Sequence, residues 1–387
     1  MNILITGANG FLGKNLFSTL KNIQAGLDCT NSDLSIEEIY LCTRGTQEAE
    51  LETYCQDADF IFHFAGINRS DRDDMFECGN VGLTADLLRI LRRCGNHCPI
   101  VFSSSTQAGV AGLCDMPYGR SKRKCEELLR AYSKETGACV NIYRFTNVFG
   151  KWGKPYYNSV VATFCHQIAR DIPITIDAPD AELSLVYVDD LIREMLQALR
   201  GVPRRRGDFC YVEPVHAATV LQIADILRCF HAESDQLQVP QLREGSFEKC
   251  LYSTYLSYLP AEKMHLPLCT HEDLRGSFTE LLKLGGSGQI SVNVTKPGIT
   301  KGNHWHQSKC EAFVVISGEG VISQRMLGTQ QIVEHSVSGR RMETIRILPG
   351  YVHSITNLSD SEDLITLIWA NEEFDAEKPD TFFEVVE

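Results

Sequence analysis

Positive charge is in deficit in this 387-residue sequence: 37 Lys and Arg stand against 50 Asp and Glu, a net charge of −13. That balance argues against nucleic acid and anionic membranes as partners. It does not exclude an anionic small ligand, which needs only local positive charge. No apolar run reaches membrane-spanning length, so no membrane partner is expected. There is no internal repeat and no low-complexity tract. The 15 cysteines are scattered, with neither paired metal spacing nor a disulfide framework. Met1 leads straight into an apolar strand without a signal-peptide pattern, and together these features predict a reducing, cytoplasmic setting. What remains is ordinary globular material, 43% hydrophobic and 22% charged. The length suggests two domains.

The stretch from Gly298 to Gly318 carries the sharpest chemistry. His304 and His306 are two apart, so on a strand both leave one face while Trp305 leaves the other. Glu311 follows after a short polar break, a pattern that predicts strand, turn and strand in one hairpin. His353 offers a third imidazole from a later strand. Three nitrogens and one oxygen suit a divalent transition metal and leave room for an exchangeable ligand. The bland alternative keeps these histidines as packing polar groups. Cys310 beside them reads as a buried thiol. The spacing of Gly298, His304, His306, Glu311 and Gly318 resembles the first cupin motif. Gly350, His353 and Asn357 resemble most of the second, with Pro349 displaced by one position. The resemblance implies a cupin β-barrel with the metal, Zn2+ by expectation, on His304, His306, Glu311 and His353.

At the other end, Asn2 to Thr6 is an apolar strand, and Gly7-Ala-Asn-Gly-Phe-Leu-Gly13 precedes a helical stretch. Glycines three apart let the backbone turn tightly against a pyrophosphate, and the helix N-terminus supplies amide donors. The pattern resembles the extended short-chain dehydrogenase/reductases and assigns Gly7, Gly10, Phe11, Leu12 and Gly13 to the cofactor. The next strand ends in Thr43-Arg44, where an acidic residue would hold the ribose hydroxyl of NAD. A guanidinium favours the 2′-phosphate of NADPH instead. Asp59 to Gly66 resembles the family segment whose Ala65-Gly66 end lies against the cofactor.

Tyr118 and Lys122 share one helical face behind a serine cluster. A phenol donates poorly at neutral pH unless a cation lowers its pKa, the task expected of Lys122. A serine, Ser105 or else Ser104, would hydrogen-bond the substrate carbonyl. The gap from these serines to Tyr118 is shorter than usual in the family. Asn147, in a segment resembling the family's Arg-x-x-Asn, would touch a nucleotide sugar, and Lys151 and Lys154 its diphosphate. Leu183 stands where the family usually has an arginine. Asp189 and Asp190 read as helix caps. Arg275, Phe278 and Glu280 resemble the substrate grip of nucleotide-sugar 3,5-epimerases, on one strand face.

The fold class expected is therefore α/β + β. Residues 1–245 form a Rossmann-type NADP-binding reductase domain, and residues 246–387 a connector and a metal-binding cupin. This order, the run from Lys296 to His306 and the ending from Pro379 to Glu384 resemble one family. It is the bifunctional epimerase–reductases of UDP-N-acetyl-L-fucosamine synthesis for bacterial capsule or O-antigen. That resemblance implies a UDP-linked 4-keto-6-deoxy-HexNAc substrate, C3 epimerisation in the cupin and C4 reduction with NADPH to UDP-2-acetamido-2,6-dideoxy-L-talose. It also implies a homodimer. His306, Tyr351 and Lys296 are candidates for the epimerising base. Two other readings are a single-activity reductase with a structural or sugar-binding cupin, and a non-enzymatic sugar-nucleotide sensor.

Overall fold

Ile3, Leu4 and Ile5 are all fully buried, and so are Ile100, Val101 and Phe102. Strands apolar on both faces need a layer of helix above and below, the condition of a parallel sheet. In the computed structural model, which describes residues 1–234, 236–375 and 377–387, they form one. The strand order is Ile39–Cys42, Ile3–Thr6, Phe60–His63, Ile100–Ser105, Val140–Phe145, Phe209–Cys210 and Arg205–Arg206. All neighbours are parallel except the last pair. Helices Phe11–Gln24 and Val188–Leu199 pack on one face. Helices Glu48–Asp57, Leu83–Cys94 and Pro117–Thr136 pack on the other. The fold is Rossmann-like. From Ile3–Thr6 the chain winds out to Ile39–Cys42 and then back across to Phe60–His63. Winding reverses there, and ligands of such sheets bind at the carboxyl ends of the strands beside the reversal.

His63 locks that junction. Its Nδ1 lies 2.7 Å from Thr6 Oγ1 and its Nε2 lies 3.0 Å from Thr84 Oγ1. Burial, with Lys122 nearby, pushes the imidazole down to about 3, so it is neutral and serves as a strand-to-helix tie.

The boundary expected at 245/246 is corrected. One unit comprises Met1–Leu227 with Glu244–Pro260, the other Arg228–Arg243 with Ala261–Glu387. The reason is packing beyond the expected cut. Phe247 meets Phe149 edge-on at 5.6 Å between ring centres, and Tyr258 donates to Gly153 O at 2.5 Å. The preceding segment belongs with the second unit, where Val239 N–H donates to Lys283 O at 2.8 Å. No helix among the described residues is long and apolar enough to cross a membrane.

The second unit is a cupin-like β structure of two antiparallel sheets. The first orders Thr270–Asp273, Gly276–Lys283, Gln289–Thr295, Leu364–Ala370, Glu311–Ser317 and Thr344–Ile347. The second orders Ile332–Ser338, Glu319–Met326, Tyr351–Asn357, Thr300–Trp305 and Phe382–Phe383. Phe313, Val315, Ile322, Val337 and Ile355 form an apolar plug between them. Gln289–Thr295 is unusual. Its buried residues are the polar ones, Gln289, Ser291, Asn293 and Thr295, while Ile290, Val292 and Val294 lie half-buried on the opposite face. These buried groups are bonded within the protein: Asn293 Oδ1 accepts from Lys301 Nζ at 2.9 Å and Gln289 Oε1 from Phe374 N–H at 3.2 Å.

Candidate active sites

In the first unit the glycine turn does what its spacing predicts. Gly7 has φ +72°, and a Cβ there would stand 2.7 Å from Ala65 N. A Cβ on Gly13 would stand 2.4 Å from Gly7 O. Both positions therefore require glycine, and strand, turn and helix approach as closely as backbone allows. The turn opens on a cleft of ≈ 760 Å³ whose walls include Gly10, Phe11, Leu12, Gly66, Tyr118 and Asn147. This cradle, which a side chain would fill, fits a dinucleotide. Arg44 is not among the lining residues. It sits exposed in the turn after Ile39–Cys42, held by Thr43 N–H donating to Thr46 Oγ1 at 3.0 Å. Among the described residues no ion pair or hydrogen bond engages it.

Tyr118, Lys122, Ser103, Ser104 and Ser105 all line the same cleft. Lys122 is 5% exposed, donates to Ser103 O at 2.7 Å and lies 4.8 Å from the centre of the Phe102 ring. Burial pushes its ammonium from 10.5 down to about 8, roughly 3 kcal/mol against the charged form. The carbonyl and the ring face offset part of that. Tyr118 departs from expectation. Burial pushes the phenol up to about 12, and a hydrogen bond with Ser105 works the other way without reversing it. Desolvation dominates, and Lys122 is not among the groups that shift the phenol. At neutral pH the phenol keeps its proton and is available as a donor.

The two serines differ in what each touches. Ser104 donates to Glu126 Oε1 at 2.5 Å. Glu126 in turn accepts two bonds from Arg144, at 2.9 and 2.7 Å. Ser104 thus faces a buried ion pair, and Ser105 is the serine at the phenol. Asn147 lies on the strand Asn147–Phe149 and donates to Ser184 O at 3.3 Å. Lys154 lines the cleft, whereas Lys151 is paired with Asp189 at 2.5 Å. Asp189 and Asp190 open the helix Val188–Leu199 but make no capping bond. They hold Lys151 and Arg193 instead, which corrects their reading as caps.

In the second unit His304, His306, Glu311 and His353 converge, with one donor atom of each lying within 4.8 Å of the others. The expected hairpin is not how they meet. Thr300–Trp305 and Glu311–Ser317 belong to different sheets, so the site bridges the barrel interior. His304 and His353 face each other in register across adjacent strands, after a bulge at Asn303 where φ is +58°. Trp305 points the other way and stacks on Phe382. Glu311 Oε2 stands 3.5 Å from His306 Nε2 and 3.4 Å from His353 Nε2. Burial alone would raise the carboxyl, but the adjacent imidazoles of His306 and His353 hold it far below the usual range. Burial and the neighbouring imidazoles push His304 down to about 4, leaving a neutral ring with a free lone pair. His306 Nε2 and both ring nitrogens of His353 are buried without a hydrogen-bond partner. Orphaned buried nitrogens around an anionic oxygen fit a divalent cation.

Sequence reasoning missed Asp380. Its carboxylate accepts from the N–H groups of Gln307, Ser308 and Lys309 at 2.8, 2.7 and 2.9 Å, and its carbonyl accepts from His306 Nδ1. That bond fixes the tautomer and turns Nε2 to the cluster. Phe278 and Glu280 lie opposite the inward-facing Asn293 and Ser291 and share their face. Arg275 does not. It stands in the turn before Gly276–Lys283, exposed and paired with Asp273 at 2.7 Å, which corrects its placement on one strand face with them. Lys296 is likewise engaged, with Asp363 at 2.9 Å.

Comparisons with known proteins agree with this division. Residues 3–209 match the NAD dependent epimerase/dehydratase family, and residues 271–382 match the polysaccharide biosynthesis C-terminal domain. The chain is 39% identical over 382 residues to the UDP-2-acetamido-2,6-beta-L-arabino-hexul-4-ose reductase of Pseudomonas aeruginosa, covering 99% of this chain and 98% of that one. The crystal structure of the capsular polysaccharide assembling protein CapF from Staphylococcus aureus matches with a TM-score of 0.89 and 45% identity over 100% of both chains. The UDP-glucuronic acid 4-epimerase of Bacillus cereus, at 19% identity and a TM-score of 0.53, covers 67% of this chain and 98% of its own and shares the fold.

The metal reading has a direct consequence. Elemental analysis of a His304→Ala/His353→Ala variant should find about one divalent metal fewer per chain than in the wild type. Equal metal content in the two would show that the cluster holds none.

Proposed function

Because the chain belongs to the NAD dependent epimerase/dehydratase family and, end to end, to the family of UDP-4-ketosugar reductases that it matches, we propose that it carries out two reactions on one UDP-sugar. The substrate is a UDP-2-acetamido-2,6-dideoxy-4-ketohexose. The barrel inverts C3, and the Rossmann-like unit reduces the C4 ketone to UDP-2-acetamido-2,6-dideoxy-L-talose, on the way to UDP-N-acetyl-L-fucosamine for capsule or O-antigen. The observation that carries the reading is one chain holding two separate sets of chemistry, the proton donor Tyr118 with Lys122 in one unit and the His/Glu cluster in the other. The enzyme works in the cytoplasm, in keeping with its free cysteines. A second copy completes a homodimer, for which the half-buried apolar face of Ile290, Val292 and Val294 is a suitable surface.

A ketone at C4 acidifies the C3 proton. A base removes it and protonation from the opposite face inverts the centre. A divalent metal, zinc by its donor set, would supply Lewis acidity toward the ketone oxygen or brace the barrel. His304, His306, Glu311 and His353 hold it, and Asp380 keeps His306 oriented. Phe278 and Glu280 grip the sugar from the inner face.

In the reductase, NADPH when bound would supply the hydride for C4. Gly7, Gly10, Phe11, Leu12 and Gly13 hold its pyrophosphate, Ala65 and Gly66 close on it, and Arg44 meets the 2′-phosphate. Ser105 hydrogen-bonds the ketone, Tyr118 donates its proton to O4, and the Lys122 ammonium stabilises the phenolate that results.

Tyr118→Phe should stop NADPH oxidation by the 4-ketosugar, a loss of at least about a hundredfold, while NADPH still binds. The ammonium is the active form of Lys122, so kcat/KM for reduction should fall as pH rises through about 8. Near-normal turnover in Tyr118→Phe would assign the proton to another group.

Arg44 should make wild-type turnover faster with NADPH than with NADH, and Arg44→Ala should erase the difference. Equal use of both cofactors by the wild type would remove Arg44 from cofactor selection.

A further inference from the structure

Within the first unit, Asp190, His216 and Cys250 bring a carboxylate oxygen, an imidazole nitrogen and a thiol sulfur within 4.8 Å of one another. They come from three elements far apart in sequence: the helix Val188–Leu199, the strand His216–Thr219 and the helix Phe247–Leu256. None belongs to the reductase machinery or to the barrel cluster. The Asp190 side chain is 8% exposed and Cys250 is 9% exposed. His216 Nε2 is buried and has no hydrogen-bond partner, although its ring is set by Phe247 at 5.5 Å. A buried imidazole with an unpaired nitrogen, clustered with a carboxylate and a thiol, is a position a cation would satisfy.

We propose that Asp190, His216 and Cys250 form a second divalent metal site, of the zinc class, that braces the return segment Glu244–Pro260 onto the first unit. The donor set decides the class. A thiolate with an imidazole selects borderline-soft ions and disfavours Mg2+ and Ca2+, which take oxygen alone. Three protein donors leave the fourth tetrahedral position to water. Donors around a tetrahedral zinc stand about 3.5 Å apart, so closure asks for roughly 1 Å of movement from the widest separation. Side-chain rotation supplies that. Arg193 now holds Asp190 Oδ1 at 2.8 Å, but its side chain is 72% exposed and can turn to water at little cost. On binding, the Cys250 sulfur forms a bond to the cation, the S–H bond breaks and the proton leaves to solvent. Burial pushes the free thiol up to about 11, so without a cation Cys250 stays protonated and unreactive, not a nucleophile. The brace sits behind the cleft wall. Phe149 lines the cleft and packs on Phe247, three residues before Cys250.

The barrel cluster contains no sulfur, which makes the two sites separable by Co2+ spectroscopy. Full-length protein freed of metal by a chelator is titrated with Co2+ alone and followed for thiolate-to-cobalt charge transfer in the near ultraviolet. The band should appear in the wild type, persist in His304→Ala/His353→Ala, and vanish in Cys250→Ser. His216→Gln should weaken Co2+ binding, read from the same band, by at least about tenfold. No band in the wild type, or an unchanged band in Cys250→Ser, overturns the proposal. Should Cys250→Ser fail to fold, the His216→Gln titration decides, and unchanged affinity overturns it. Loss of the band in His304→Ala/His353→Ala, if that variant is folded, would also overturn it, since the sulfur signal would then belong to the barrel.

Discussion

The contact of one carboxylate with two imidazoles organises the C-terminal unit. Glu311 reaches from one sheet to His306 and His353, which belong to the other sheet and the loop that follows it. An anion that deep is tolerable only if something positive or hydrogen-donating faces it. The barrel therefore has to hold its sheets at one spacing, keep the imidazoles aimed inward and anchor the loop after His306. Asp380 does the anchoring, with three backbone N–H groups on its carboxylate and His306 on its carbonyl. The polar inner face of Gln289–Thr295 continues the same theme away from the cluster.

The N-terminal unit solves the converse problem, a buried cation with no carboxylate on it. Lys122 has a backbone carbonyl and a ring face, and burial lowers it only to about 8, so at neutral pH it is still largely charged. Glu126, whose charge favours the ammonium, is bonded to Arg144 and Ser104 rather than to Lys122. Outside that pair, Tyr118, Ser105 and Lys122 line the cleft and are the groups proposed to reduce the ketone. Each unit thus gathers buried ionisable groups into a cluster of its own.

Local spacing made much of this legible. The glycines of residues 7–13, the Tyr118/Lys122 pair and the His304/His306 alternation all describe atoms a few residues apart, and backbone geometry fixes their relation. What the sequence hid lies in long-range pairing. A turn between two strands looks the same whether they pair with each other or enter opposite sheets, so Glu311 was expected in a hairpin with His304. Arg275 is three residues from Phe278, an odd step that a strand cannot place on one face, and the turn takes it. Ser104 and Ser105 are told apart only by Glu126, which is 22 positions away. Asp380 lies 74 positions from His306. Apolar Ile290, Val292 and Val294 suggest an inward face, yet their polar neighbours point in.

Two chemistries in two units is the central claim, and isotope exchange tests it most directly. Full-length Tyr118→Phe protein is incubated with the UDP-4-ketosugar in D₂O without NADPH, and the sugar is read by mass spectrometry and proton NMR. The account predicts deuterium at C3 at close to the wild-type rate and no alcohol. No deuterium at C3 above the enzyme-free control would contradict it, and would leave the barrel a structural domain attached to a reductase.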